Sequence, residues 1–143
     1  MPNVKSPIVG AHCFVLDDEF LIALDIQHIL EQAGAANVIC LGHTAEALDR
    51  LRAGAEFDFA VIDVKLGAAP QDGLTVAAEL VRLKIPFVFL TGMCPRDKSL
   101  MQFPDAPVVE KPYDSALLVD AVLRALGRRW GPIKRPPPAR SGR

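Results

Sequence analysis

Cysteine is scarce in this sequence, and its three copies, Cys13, Cys40 and Cys94, stand far apart. An odd number with no CxxC pair argues against a disulfide framework or a zinc site. Reduced thiols suit a cytoplasmic location. Long apolar runs are missing too: no stretch of about 18 such residues exists, so a transmembrane helix is excluded and no membrane partner is expected. The N-terminus carries no apolar segment of the secretory kind. Nor is there a surplus of charge, with 16 Lys and Arg against 17 Asp and Glu and a formal net of -1. A strongly basic nucleic-acid binder is therefore ruled out.

What is present is enough for one core. The chain has 143 residues, half of them hydrophobic, which fits a single compact domain rather than a disordered chain. The near-neutral average hides an asymmetry. Six of the 16 basic residues (Arg128, Arg129, Lys134, Arg135, Arg140 and Arg143) follow Gly127, where no acid occurs. Residues 1–126 thus carry a net of -7 and the remainder +6. Pro136-Pro137-Pro138 cannot pack as a helix, so residues 129–143 are expected to form a disordered basic tail. Six charges with no aromatic beyond Trp130 are a weak nucleic-acid signal, and a solvated extension is the simpler reading.

Ahead of the tail, short apolar runs alternate with helical patterns. Cys13–Leu16, Val38–Leu41, Phe59–Ile62, Phe87–Leu90 and Val108-Val109 read as buried strands. Between them, Ile22, Ile26, Ile29, Leu30 and Ala33 recur at helical spacing, with Gly34 as the stop. Thr44 is expected to cap a helix running to about Ala53. A loop over Gly67–Gly73 should lead to a helix near Leu74–Leu83, and at most one helical turn fits near Asp97–Met101. Ser115 is expected to cap a last helix with Leu118, Ala121, Val122, Ala125 and Leu126 on one stripe. Five strands alternating with helices indicate a parallel sheet covered on both faces. Residues 1–9 read as an N-terminal extension and 10–128 as the domain.

Ligands of open α/β sheets bind beyond the carboxyl ends of the strands. Here those ends carry Asp17-Asp18-Glu19, then Asp63, Thr91 and Lys111. Crowded carboxylates repel, and a hard divalent cation such as Mg²⁺ relieves the repulsion. A carboxylate beside a metal is a competent nucleophile for phosphoryl transfer, giving an acyl phosphate. Lys111 is a good donor to a phosphoryl oxygen, and Thr91 adds a hydroxyl. The three histidines, His12, His28 and His43, have no ligand spacing.

Four motifs carry a family resemblance: Val15-Leu16-Asp17-Asp18-Glu19, Val61-Ile62-Asp63, Phe89-Leu90-Thr91-Gly92 and Glu110-Lys111-Pro112-Tyr113. The intervals of 45, 28 and 20 residues linking Asp18, Asp63, Thr91 and Lys111 keep the same order. Over residues 10–128 the chain resembles the receiver domains of bacterial two-component response regulators. The resemblance implies a flavodoxin-like, doubly wound five-stranded sheet of order 2-1-3-4-5, with the fourth helix shortened or irregular here. It implies phosphorylation of Asp63 by a histidine kinase or phosphotransfer protein. Mg²⁺ would be held by Asp17, Asp18, Asp63 and the backbone carbonyl of Lys65. Thr91 and Lys111 would contact the phosphoryl group, and the Lys111-Pro112 bond would be cis. The domain would then be a switch rather than an enzyme, acting on a downstream protein through contacts or serving as a phosphate sink itself, and without an output domain of its own.

The departures are specific. The family often places an aromatic residue three positions before the lysine, and Val108 stands there. The text Pro86-Phe87-Val88-Phe89-Leu90-Thr91-Gly92-Met93 is similar to an atypical alphaproteobacterial subgroup, with Leu90 and Met93 in place of its Ala and Tyr. The Lys65 side chain either reaches the phosphoryl group or faces solvent. Leu117, Val119 and Leu123, off the main stripe of the last helix, mark either a homodimer or partner surface or a broad buried face. Two other readings share the strand-end acids: a small Mg²⁺-dependent phosphatase or phosphotransferase, and a receiver-like binding module that is never phosphorylated.

Overall fold

The computed structural model describes residues 6–64, 70–92 and 98–128. Five strands run as β1 (His12–Leu16), β2 (Asn37–Leu41), β3 (Phe59–Val64), β4 (Phe87–Thr91) and β5 (Val108–Glu110). The helices are α1 (Phe20–Gln32), α2 (Thr44–Arg52), α3 (Pro70–Arg82), the single turn α4 (Lys98–Met101) and α5 (Ser115–Leu126). The strands form one parallel sheet in the order β2-β1-β3-β4-β5. This is the flavodoxin-like arrangement, with the short fourth helix that the three prolines between Thr91 and Val108 lead one to expect.

Burial explains the strand composition. Every residue of β3 and β4 is buried, because helices cover both faces of the central sheet. On one face, α1 and α5 touch each other; on the other, α2 and α3 do. Helix α1 buries Ala23, Ile26, Ile29 and Leu30, and α5 buries Leu118, Ala121, Val122 and Ala125, one stripe in each case. Val119 and Leu123 are half-buried against the core, leaving Leu117 as the exposed member of the trio singled out on α5. Ile8 is fully buried as well, so the core extends into the turn ahead of β1. There Gly34, at φ +114°, lets the end of α1 pass Val9, whose side chain would lie 2.8 Å from any Cβ at that position.

Two caps differ from expectation. Helix α5 is capped by Asp114 rather than Ser115: Oδ1 of Asp114 accepts a hydrogen bond from the Leu117 N–H at 2.8 Å. Helix α2 takes His43 as its N-cap residue, with no side-chain cap bond, and Thr44 is its first helical residue. Helix α3 begins at Pro70, four residues before the position inferred from apolar spacing. Proline is well suited to a first turn, where its missing N–H costs nothing, and so it opens α3 instead of ending a loop.

Beside β4, aromatic rings pack together. Phe103 sits edge-on to Phe89 and Phe87, at centroid separations of 5.6 and 6.0 Å, and Phe87 and Phe89 stand 5.2 Å apart. All three are buried. Among the described residues, no helix is long and apolar enough to cross a membrane. Lys65, Met93, Cys94 and the basic segment 129–143 lie outside the described residues.

Candidate functional site

The parallel sheet brings the carboxyl ends of β1, β3, β4 and β5 to one edge. Asp17 leaves β1 with its N–H still bound to the Leu41 carbonyl on β2, at 3.0 Å, so its position is set by the ladder. Its Oδ1 accepts the Glu19 N–H at 2.8 Å, which turns the chain into α1. Asp63 sits inside β3, paired in register with Leu90, and Thr91 at the end of β4 pairs with Val64. Lys111 follows β5, and its N–H donates to the Thr91 carbonyl at 2.8 Å. The Lys111-Pro112 peptide bond is cis.

Asp17, Asp63 and Thr91 are the buried polar residues of the described chain, whereas Asp18 is exposed. One carboxylate oxygen from each of Asp17, Asp18 and Asp63 lies within 4.8 Å of the others. The Lys111 ammonium stands 2.7 Å from Oδ1 of Asp63 and 4.0 Å from Oδ2 of Asp17. The shorter contact is a close ion pair. Oδ1 of Asp63 and Oδ2 of Asp17 are both buried, and neither accepts a hydrogen bond. Burial raises the Asp17 carboxyl from 3.8 to about 6; the Glu19 N–H and Lys111 oppose the rise, and the charge of Asp63 adds to it.

A buried oxygen without a donor needs an explanation. Here there are two, both carboxylate, facing a third carboxylate at the surface. Such a hard, all-oxygen donor set fits a divalent cation of the Mg²⁺ or Ca²⁺ kind, which keeps waters on its open side. One lysine leaves the trio under-neutralised, so an added cation lowers the energy rather than raising it.

Of the residues singled out in the sequence, Asp17, Asp18, Asp63 and Lys111 converge, and Thr91 lies one strand away, tied to Lys111 through the backbone. The Lys65 carbonyl lies outside the described residues. Three features carried no sequence signal of their own. Gly73 in the first turn of α3 lets that helix approach the end of β3: a Cβ there would meet the Asp63 carbonyl oxygen at 3.2 Å. Asp114 sets the start of α5. The Tyr113 hydroxyl donates to Oδ2 of Asp25 on α1 at 2.8 Å.

The same fold recurs among solved structures. A response regulator receiver protein from Sinorhizobium medicae superposes with a TM-score of 0.73 at 30% identity, over 82% of this chain and 94% of that one. This chain belongs to the receiver domain family. SdrG from Sphingomonas melonis is similar at 29% identity and a TM-score of 0.64, over 83% of this receiver and 98% of that chain. A response regulator from Burkholderia pseudomallei, solved with a phosphorylated aspartic acid, calcium ion and citrate, matches at 26% identity and a TM-score of 0.64. It covers 78% of this receiver, which spans 66% of that protein. No protein-family model and no curated protein matches the sequence. Membership makes this receiver a module of two-component response regulation, a class of signalling proteins.

Proposed function

We propose that this receiver is a phospho-acceptor switch in which Asp63 takes a phosphoryl group in the presence of Mg²⁺. The observation that carries the reading is the buried Asp63 carboxylate, 2.7 Å from the Lys111 ammonium and grouped with Asp17 and Asp18. In the step itself, an Asp63 oxygen bonds to phosphorus as the bond from phosphorus to the donor atom breaks. The electron pair stays with the donor, a histidine nitrogen in a kinase or phosphotransfer protein. Hydrolysis then returns the carboxylate and inorganic phosphate. Mg²⁺, held by Asp17, Asp18, Asp63 and the Lys65 carbonyl, would offset charge on the transferring oxygens. Lys111 supplies a fixed positive charge at Asp63, and Thr91 supplies a hydroxyl from the next strand end.

The donor has to arrive from solvent, and the rim of the site is apolar. Phe20 and Leu21, the first residues of α1 after the acids, are 69% and 78% exposed, and Leu24 is also exposed. Such a patch beside charged groups suits a helical protein partner better than a small molecule. Output would pass through protein contacts, whether to a downstream target or as a drain on a shared kinase. Val108 bears on how the switch is read, because it offers no aromatic ring to follow Thr91.

The test is to incubate the protein with a small acyl phosphate and Mg²⁺ and follow intact mass. Wild-type protein should gain one phosphoryl group per chain, and Asp63→Asn or the addition of a chelator should abolish the gain. Equal incorporation by wild type and Asp63→Asn sinks the assignment.

A further inference from the structure

Lys111 has a flexible four-carbon stem, so where its ammonium sits depends on how firmly its backbone is held. The connection that carries it, residues 111–114, is only four residues long and is fixed at three points. At its start the Lys111 N–H is bound to the Thr91 carbonyl, and at its end Asp114 caps α5 through the Leu117 N–H. Between them, the Tyr113 hydroxyl crosses to Oδ2 of Asp25 at 2.8 Å, joining residues 88 positions apart in the chain. Asp25 lies on α1, the helix that starts directly after Asp17, Asp18 and Glu19. The Tyr113–Asp25 bond therefore links the loop bearing the cation of the site to the helix that follows two of its acids. The Tyr113 ring is partly buried against the core, which limits its swing and keeps the hydroxyl aimed at α1.

We propose that Tyr113 and Asp25 form a positioning pair that holds the Lys111 ammonium against Asp63, and so sets the rate at which Asp63 accepts a phosphoryl group. The inference rests on the phospho-acceptor reading for its rate but not for its geometry. A hydrogen bond to a charged carboxylate is among the stronger kinds, and this one joins the loop to α1. When it is removed, the loop keeps its other two anchors, the Lys111 N–H on the Thr91 carbonyl and the Asp114 cap, but Lys111 gains freedom to leave Asp63. Neither Tyr113 nor Asp25 is among the proposed Mg²⁺ ligands, so metal affinity is expected to stay put while the rate falls.

Two readouts test this on the intact chain. In the first, the maximal rate of phosphorylation by a small acyl phosphate at saturating Mg²⁺ is compared across variants. Tyr113→Phe and Asp25→Ala should each slow it about threefold to tenfold, the range expected for one lost hydrogen bond. The double variant should be no slower than either single one, because both remove the same contact. Asp25→Asn, which keeps an acceptor for the hydroxyl, should retain at least half the wild-type rate, and Mg²⁺ affinity should be unchanged throughout. In the second readout, which needs no phosphorylation, lysine amines are labelled under limiting reagent and mapped by mass. Lys111 should label faster in Tyr113→Phe than in wild type, with Lys84 as an unchanged internal control. A wild-type rate together with unchanged Lys111 labelling in Tyr113→Phe overturns the positioning role. Strictly additive losses in the double variant overturn the pairing. If wild-type protein takes up no phosphoryl group, the acceptor reading fails, and the labelling result alone decides whether the pair holds Lys111.

Discussion

At the scale of single residues, Asp17 carries the tension of the site. Its carboxyl is raised to about 6, so the metal-free fold holds that proton more tightly than the unfolded chain does. A carboxyl with a raised folded value contributes stability that is fully present below its unfolded value near 3.8 and is lost as pH rises through about 6. Asp17→Asn should therefore stabilise the metal-free protein at pH 8, by on the order of 2 kcal/mol, read from urea unfolding. The same substitution should weaken Mg²⁺ binding. In the wild type, Mg²⁺ affinity should fall as pH drops below about 6, because the proton on Asp17 must leave before the metal binds. Isothermal titration in buffers of different ionisation heat reads that proton release; no release at pH 5.5 contradicts the account. Cys13 offers a contrasting case, a thiol that burial pushes up to about 12 with no functional role implied. Its stability contribution is intact below about 9 and is lost as pH rises toward 12. At pH 8 it should resist iodoacetamide in the native protein and react fully in urea.

At the scale of elements, the helix starts separate what composition reveals from what geometry decides. Asp114→Ala should cost about 0.5–2 kcal/mol, while Ser115→Ala should stay within about 0.5 kcal/mol, both measured by urea denaturation. Equal costs would return the cap to Ser115. Ser115 and Thr44 look like caps because their residue types are right. A cap, however, is chosen by which side chain reaches an open N–H two or three residues on, and one position of register changes the answer. Strands and helical stripes were legible because burial on two faces or one leaves a periodic apolar signature. The shift of α3 to Pro70 was not, since a polar first turn looks like a loop. Phe103 belongs to this scale too. It packs edge-on against Phe87 and Phe89 of β4, and Phe103→Ala should destabilise by about 3–5 kcal/mol.

At the scale of the whole molecule, sheet order does the gathering. Asp17 and Lys111 are far apart in the chain, yet β1 and β5 bring their ends to one edge because parallel strands point the same way. The order of the acids, threonine and lysine at strand ends was readable from spacing, and with it most of the candidate site. The Tyr113–Asp25 contact and the close approach at Gly73 were not, because each depends on how two elements pack, which no local pattern encodes. The -7 of residues 1–126 has a partial physical account: three of those acids share one site with two buried oxygens that lack donors. It follows that Mg²⁺ should stabilise the entire domain. At a free concentration 100 times its dissociation constant, the gain should be about 2.7 kcal/mol, seen as a rise in Tm that Asp17→Asn and Asp63→Asn both reduce.

The most direct test of the central claim is to locate the phosphoryl group itself. After reaction with a small acyl phosphate and Mg²⁺, borohydride reduces an aspartyl phosphate to homoserine, which peptide mass spectrometry can place in the chain. Homoserine at position 63, absent without Mg²⁺, is the result expected. Homoserine at another carboxylate, or none in protein that has gained the phosphoryl mass, would contradict the account.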